Sequence, residues 1–433
     1  MRYCRRCLYP ANHPLHLTFD DEGVCSGCRV HEEKDTLDWT ERELRLRALL
    51  DAYRNRSGNS YDCIVPVSGA RDSYFIVDLL RRRYGLRPLL VSYNRHYNTQ
   101  RGIRNLAYLR TLTDGDFVQQ VLAPQTVKRI VRETLRRVGS MHWHTLAGQT
   151  VYPVQMAVRL KVPLIVWGAH QGLDQVGMYS HTDEIEMTRR YRCEHDLMGL
   201  EAEDLVDGAE GLTEDELRPL FYPHDRELQR VGVRGIYLGN YIRWDTKAQH
   251  ERMLSRYAYE TAQQSRTFDT YSDVDCQHYS GVHDWIKFAK WGYGKATDHA
   301  CREIRLRRMT RAEGIEQVRR YADAPAPDMQ RFLEWAGLDE ATFRAQVDRH
   351  RDPAIWSRSS GGDWVLHDSV PSHADEAADV ALAKIEDCRF LVTPSKNPAA
   401  DEAAYVLLHR GWVDGAEANR LQRGQPVATG VPA

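Results

Sequence analysis

An α/β chain built on a doubly wound parallel sheet is what this sequence predicts, and three observations predict it. From Tyr61 onward, short apolar runs alternate with helical patterns, the signature of successive β-α units. The first apolar run, Cys63-Ile64-Val65-Pro66-Val67, leads through Ser68-Gly69-Ala70-Arg71-Asp72-Ser73 into a helical pattern beginning Tyr74-Phe75-Ile76. Ahead of that domain stand two CxxC pairs, Cys4/Cys7 and Cys25/Cys28, which predict an N-terminal zinc knuckle.

Taken in order, residues 63–67 are expected as the first strand and 73–84 as its helix. Residues 88–94 (Pro-Leu-Leu-Val-Ser-Tyr-Asn) read as the second strand. Residues 99–111 read as a helix with Ile103, Leu106 and Leu109 on one face. A third strand is expected at 117–122, a helix at 125–138, a helix at 152–160 and a strand at 163–168 that ends in Gly168. His142-Trp143-His144 reads as extended, which sets both imidazoles on one face. The acid-rich stretch 171–223 is expected as a lid-like insertion, followed by a strand at 236–241 and helices at 246–264 and 282–291. An all-helical C-terminal section carries helices at 311–321 and 328–335, and residues 397–433 read as a mobile tail. The expected organisation is knuckle and linker helix (1–58), nucleotide-binding α/β domain (59–270), helical substrate section (271–375) and variable tail (376–433).

Charge and composition narrow the class. Lys plus Arg number 59 and Asp plus Glu 61, a formal charge of −2, which argues against a nucleic-acid-coating surface. No apolar run reaches the roughly 18 residues of a membrane span, and Met1-Arg2-Tyr3-Cys4 has no signal-peptide core, so a cytoplasmic protein is expected. Nine cysteines, four of them in tight pairs, suit a metal site better than a disulfide framework. An all-cysteine set leaves no open coordination position, so its zinc is expected to be structural, with Arg5, Arg6 and Arg29 beside the thiols.

The turn at 68–73 carries the chemistry. In an open parallel sheet, ligands bind beyond the strand C-termini, where turn amides and a helix N-terminus hold an anion. That reading gathers Val67, Ser68, Gly69, Ala70, Arg71, Asp72, Ser73, Asn94 and Gly168 around one crevice as contacts for a phosphate-bearing ligand. The competing reading is a serine-rich turn that simply opens a helix. Asp72 orients the loop or holds Mg²⁺ through water, unless it is an ordinary helix N-terminal acid.

The turn resembles the SGGxDS pyrophosphate loop of the PP-loop ATP pyrophosphatases, with Ala70 where a glycine is usual and Arg71 where lysine is common. Together with the knuckle, the chain resembles the N-acetyl sugar amidotransferases of that class. The likeness runs through Cys4-Arg5-Arg6-Cys7 and Gly27-Cys28, through Gly148-Gln149 and Pro163 to Gly168, through Gly239-Asn240-Tyr241, and through Lys290-Trp291-Gly292-Tyr293-Gly294-Lys295 to Glu313-Gly314, or roughly residues 1–350. Ala169 stands where that family usually carries an acid.

The resemblance implies an ATP-dependent reaction in which an acetamido carbonyl of an N-acetylated sugar is adenylated and ammonia then displaces AMP. It implies ATP and Mg²⁺, and a separate glutaminase as ammonia source. Arg71, Asp72, Lys290 and His144 are the candidate catalytic residues, and His142, Gln149, Lys295 and Arg305 the candidate substrate contacts. A charged helix face is the other meaning of the series Lys290, Lys295, Arg302, Arg305 and Arg311, and Asp298 and Glu303 read as partners of those cations. Two alternatives stay open: sulfur transfer to tRNA or a metabolite through Cys276 or Cys301, and a non-catalytic nucleotide-binding scaffold.

Overall fold

The apolar runs at 63–66, 88–93 and 164–167 are buried on both sides, as strands of a parallel sheet covered by helices must be. The computed structural model of the chain describes residues 1–96, 98–377 and 379–402. Two helices precede the sheet, α1 (Ser26–Glu33) and α2 (Trp39–Tyr53), the latter capped by Asp38, whose carboxylate accepts from the N–H groups of Thr40 and Glu41. Then come β1 (Cys63–Pro66), α3 (Arg71–Asp78, running on as a π-turn over Leu79–Arg83), β2 (Pro88–Tyr93), α4 (Gln100–Leu112), β3 (Phe117–Gln120), α5 (Pro124–Val138), α6 (Trp143–Leu160) and β4 (Leu164–Trp167). The acid-rich insertion holds only short pieces, α7 (Gln171–Asp174), α8 (Arg189–Tyr191) and α9 (Glu214–Leu217), and α10 (Asp225–Val231) follows it before β5 (Arg234–Tyr237).

All five strands are parallel, in the order β3-β2-β1-β4-β5. The order reverses between β1 and β4, so the turns that follow these two strands flank the topological switch point. Alternation along the strands builds a core on each face. Ile64, Leu89 and Val91 join α5 and α6 on one side, while Cys63, Val65, Leu90 and Val166 join α2, α3 and α11 (Thr246–Leu254) on the other.

Beyond α11 the C-terminal section comprises α12 (Gln277–Trp291), α13 (Lys295–Arg305), α14 (Arg311–Ala322), α15 (Met329–Ala336) and α16 (Glu340–Asp348). It is not all-helical: β6 (Trp356–Arg358) and β7 (Trp364–Leu366) form an antiparallel hairpin. The knuckle shares a third core with α13 and α14 through Leu8, Tyr9, Ala300, Ile304 and Ile315.

Four expectations are corrected. His142 and His144 are not on a strand; α6 starts at Trp143 and runs 18 residues, through Pro153. Its low-propensity residues are outweighed by packing, because Gly148 lets the helix lie directly on the Tyr93 ring. The helix expected at 246–264 stops at Leu254, since Tyr257 and Tyr259 turn into the core and Tyr257 Oη donates to Asp78 at 2.6 Å. The strand expected at 236–241 ends at Tyr237 in a 3₁₀ turn over Leu238–Asn240. On α4 the buried face is Gly102, Asn105 and Leu109, with Ile103 and Leu106 only half-buried.

Of the tail read as mobile, residues 397–402 include α17 (Pro398–Glu402), and Asp401 pairs with Arg101 at 2.6 Å and Arg104 at 2.9 Å. Residues 403–433 lie outside the described residues. Among the described residues, no helix is long and apolar enough to cross a membrane.

Candidate functional site

The turn after β1 is held in shape by its own small residues. Val67 N–H donates to Val91 O at 2.8 Å, which carries the sheet one residue past β1. Gly69 has φ +83°, and a Cβ there would stand 2.9 Å from the Leu106 backbone of α4, so only glycine fits. Ala70 has φ −73°, an unstrained value for its methyl group. Ser73 Oγ accepts from Ser68 N–H, and Ser68 Oγ accepts from Ala70 N–H, each at 3.2 Å. Both hydroxyls therefore brace the turn and keep their own protons to donate. No side chain caps α3 at Ala70, so the amides of its first turn carry the positive end of the helix dipole toward the crevice.

Arg71 does not stand alone over this turn. Its Nη1 donates to Asp269 Oδ2 at 3.0 Å and to Ser272 Oγ at 2.7 Å. Asp269 is fully buried and also accepts from Arg302 Nη2 at 2.7 Å. Burial pushes the Asp269 carboxyl up, but Arg302 and Arg71 outweigh it and hold the group well below the usual carboxylate range. Asp72 behaves oppositely. Burial raises its carboxyl against the pull of Arg71 and Arg302, and Asp174 and Asp269 add repulsion. Two acids, Asp72 after β1 and Asp174 after β4, thus feel each other across the switch point.

Asn94 and Gly168 frame the crevice. Asn94 is buried at the end of β2, and its Oδ1 accepts from His96 N–H at 2.9 Å and Asn98 Nδ2 at 2.8 Å, so it braces the strand end. Gly168 permits the end of β4 to press on α3: a Cβ there would lie 3.2 Å from Ile76 Cδ1.

Four of the expected residues meet in a polar layer between β2, α6 and α12. His142 precedes α6, with its ring 4.5 Å from that of His283, and Tyr93 Oη lies 3.3 Å from His144 Nδ1. Burial, with His283, Lys295 and Arg95 near His142 and His96 near His144, holds both imidazoles well below their usual range and therefore neutral. Gln149 Oε1 accepts from Arg95 Nη2 and Nε at 2.5 and 2.6 Å. Arg95 pairs with Asp275 at 2.8 Å, and Lys295 pairs with Asp273. Lys290 lies elsewhere: its Nζ donates to Val138 O at 2.8 Å at the end of α5, and burial pulls its pKa down to about 8.

Arg305 is at the cysteine cluster. The four thiols of Cys4, Cys7, Cys25 and Cys28 are buried within 4.8 Å of one another. The pairs Cys7–Cys25 and Cys4–Cys28 are 3.7 and 4.0 Å apart. A tetrahedral zinc with Zn–S of about 2.3 Å requires sulfur–sulfur edges near ~3.8 Å, so the cluster fits that ion. Two backbone N–H groups, of Cys7 and Cys25, donate to Cys4 Sγ at 3.4 and 3.3 Å. Arg305 places its guanidinium 3.4 Å from Cys28 Sγ and 3.5 Å from Cys25 Sγ. Arg5, Arg6 and Arg29, the expected cations, are instead spent on Glu376 O, Val380 O and Asp20. The acids Asp298 and Glu303 pair with Lys287 and with Arg302 and Arg308.

Sequence reasoning missed Asp269, Arg95 and Asp174. The run Phe268-Asp269-Thr270-Tyr271-Ser272-Asp273, dense in acids and hydroxyls, was the available signal for the first. A fourth omission is Asp196, at the edge of a cavity over β4 and β5, whose carboxyl burial pushes up to about 7 with only Arg192 opposing. A carboxyl raised on folding stabilises the fold below its unfolded value, near 4, and that gain is lost as pH rises through about 7. Asp196→Asn is therefore expected to melt above the wild type at pH 8 and together with it at pH 4, as thermal scans across pH will read.

Residues 262–370 match the family described as LPS biosynthesis protein WbpG-like, C-terminal domain. No curated protein matches the chain. The matched stretch contains α12 to β7, with Asp269, Lys295 and Arg302. The match is to a family of LPS biosynthesis and covers about a quarter of the chain.

Proposed function

We propose that the chain is an ATP-dependent, AMP-forming amidotransferase that converts an acetamido group of an N-acetylated sugar to an amidine. The observation that carries this reading is the turn 68–73: a glycine-dependent bend at the switch point that opens onto the uncapped N-terminus of α3. The match to a polysaccharide-biosynthesis family supports a sugar as acceptor.

In this reading the first-turn amides of α3 and the hydroxyls of Ser68 and Ser73 hold the pyrophosphate end of ATP, with Arg71 and Arg302 beside them. The acetamido oxygen attacks the α-phosphorus, and pyrophosphate leaves with the charge that those donors stabilise. Ammonia then adds to the imidate carbon and AMP departs, taking the former carbonyl oxygen. Asp72 is the residue that would hold Mg²⁺, with Asp174 beside it paired to Lys34, and the ion would share the charge of the leaving group. A separate glutaminase would supply the ammonia.

The sulfur-transfer reading needs a reactive thiol. Burial and Asp275 push the Cys276 thiol up to about 12, which leaves it a poor nucleophile. Cys276→Ser is accordingly expected to retain nucleotide turnover within a few-fold.

The test is product analysis by ³¹P NMR after incubation with ATP, Mg²⁺, ammonium and N-acetylglucosamine. AMP and pyrophosphate are expected to accumulate in step, and only with the sugar present; ADP and phosphate would overturn the reading. Gly69→Ala, strained by about 1–3 kcal/mol and pressed on Leu106, is expected to slow turnover at least ~10-fold.

A further inference from the structure

Next to the switch point, over the C-terminal ends of β4 and β5, lies a cavity of about 130 Å³. The acid-rich insertion roofs it. Met187 N–H donates to Gly235 O at 2.8 Å, which lays residues 186–188 along the free edge of β5 and brings Thr188 and Tyr191 over the opening. Ala169, the residue after Gly168, lines this cavity and faces Gly239 beyond β5.

The walls combine rings and hydrogen-bonding groups. Trp167, Tyr191 and Tyr237 supply faces, and the His170 ring lies 4.1 and 4.7 Å from those of Tyr191 and Tyr237. Three buried polar atoms on this lining, Trp167 Nε1, His170 Nδ1 and Arg192 Nη2, have no partner among the described residues. The other nitrogens of Arg192 are satisfied: Nε by Thr150 Oγ1 at 2.9 Å and Nη1 by Glu201 Oε2 at 2.6 Å. A buried polar atom left without a partner costs roughly 1–3 kcal/mol, so the wall behind this space is under-satisfied as it stands. Glu201 balances the charge of Arg192 and burial keeps His170 neutral, which leaves no net cation to attract a phosphate, while Asp196 would repel one. The volume is close to the ~150 Å³ of cavities that hold one six-membered ring, so a single sugar ring would fill it with its substituents at the opening.

Resting on the function proposed above, we infer that this cavity seats the acceptor: an uncharged, hydroxyl-bearing ring with its acetamido arm, stacked on Trp167, Tyr191 and Tyr237 and hydrogen-bonded by Thr188, Arg192 and Asp196. Nucleotide and acceptor then lie on either side of the end of β4, with Ala169 on the acceptor side.

Saturation-transfer difference NMR with free N-acetylglucosamine on the full chain tests this, with ATP binding followed by calorimetry on the same samples. Asp196→Leu removes a polar wall and Ala169→Leu fills the space, and circular dichroism reports folding of each. The expected result is a saturated N-acetyl methyl signal in the wild type that falls at least ~5-fold in each folded variant, with ATP affinity unchanged in Asp196→Leu. No methyl saturation in the wild type, or undiminished saturation in the folded variants, overturns the assignment. Loss of ATP binding in the wild type would instead refute the nucleotide reading and leave the sugar result to stand by itself.

Discussion

Asp269→Ala is expected to destabilise the protein by about 3–5 kcal/mol, the cost of leaving buried charge without its counter-ion. The carboxylate is fully enclosed. Its Oδ2 accepts from Arg71 Nη1 at 3.0 Å, Arg302 Nη2 at 2.7 Å and Ser272 Oγ at 2.9 Å, and its Oδ1 accepts from the N–H groups of Tyr271 and Ser272 at 2.7 and 3.0 Å. Truncation strips two guanidinium groups of a shared partner and leaves two backbone N–H groups unsatisfied. It also frees the 269–272 segment that Arg71 ties to the turn at 68–73, so on the proposed function nucleotide affinity is expected to fall with stability. Urea unfolding and calorimetry with ATP measure the two effects. In the double variant Asp269→Ala/Arg302→Met one orphaned cation is gone, and part of the lost stability is expected to return, a non-additivity that marks direct coupling. The pH sense follows from the depressed carboxyl. Its contribution is complete above the unfolded value near 4 and is lost only as pH falls through the still lower folded value. Acid unfolding of the wild type is therefore expected to begin below pH 4 at this network, and Asp269→Ala to show a shallower acid limb.

Cys25→Ser is the second large effect. Structural zinc contributes on the order of 10 kcal/mol in isolated fingers, comparable with the whole stability of an ordinary domain. Here the consequence reaches beyond the knuckle, because Leu8, Tyr9 and the cysteines share a core with Ala300, Ile304 and Ile315. Arg305 adds to it: without zinc to hold the remaining sulfurs as thiolates, its buried guanidinium loses the negative charge it faces and rests on the carbonyls of Asp174 and Gln175. About one zinc per chain is expected in the wild type by elemental analysis and less than a tenth of that in the variant. Hydrogen exchange is expected to show α13 and α14 losing protection together with residues 1–33. A knuckle that opens while α13 and α14 stay protected would mean that the metal stabilises only its own loop.

How much of this was legible in the sequence follows from the distance over which each signal acts. The strands at 63–66, 88–93 and 164–167, the helix after the turn and the cysteine spacing are local patterns, and they were read within a few residues. The boundaries that failed are those where tertiary contact overrides propensity. Pro153 and Gly148 argue against a helix until Gly148 is seen to admit the Tyr93 ring, and residues 255–260 look helical until Tyr257 finds Asp78. Partnerships were the least legible. Arg71 and Asp269 are 198 residues apart, and Arg305 and Cys28 are 277 apart. Lys290 and Arg305 had the residue types and the glycine-spaced setting of phosphate ligands, yet each neutralises something else, a helix C-terminus in one case and a thiol cluster in the other. Charge type in a sequence shows what a residue is able to bind, and packing selects which partner it meets.

The central claim is that the amides opening α3 take the diphosphate end of ATP. A crystal of the protein soaked with Mg²⁺ and an ATP analogue carrying a methylene bridge between the α- and β-phosphorus tests it most directly. The account requires β- and γ-phosphate density against the backbone between Gly69 and Ser73, with a metal ion on the side of Asp72 and Asp174. Phosphates bound away from that turn, or a turn left without them while adenine density appears elsewhere, would contradict it.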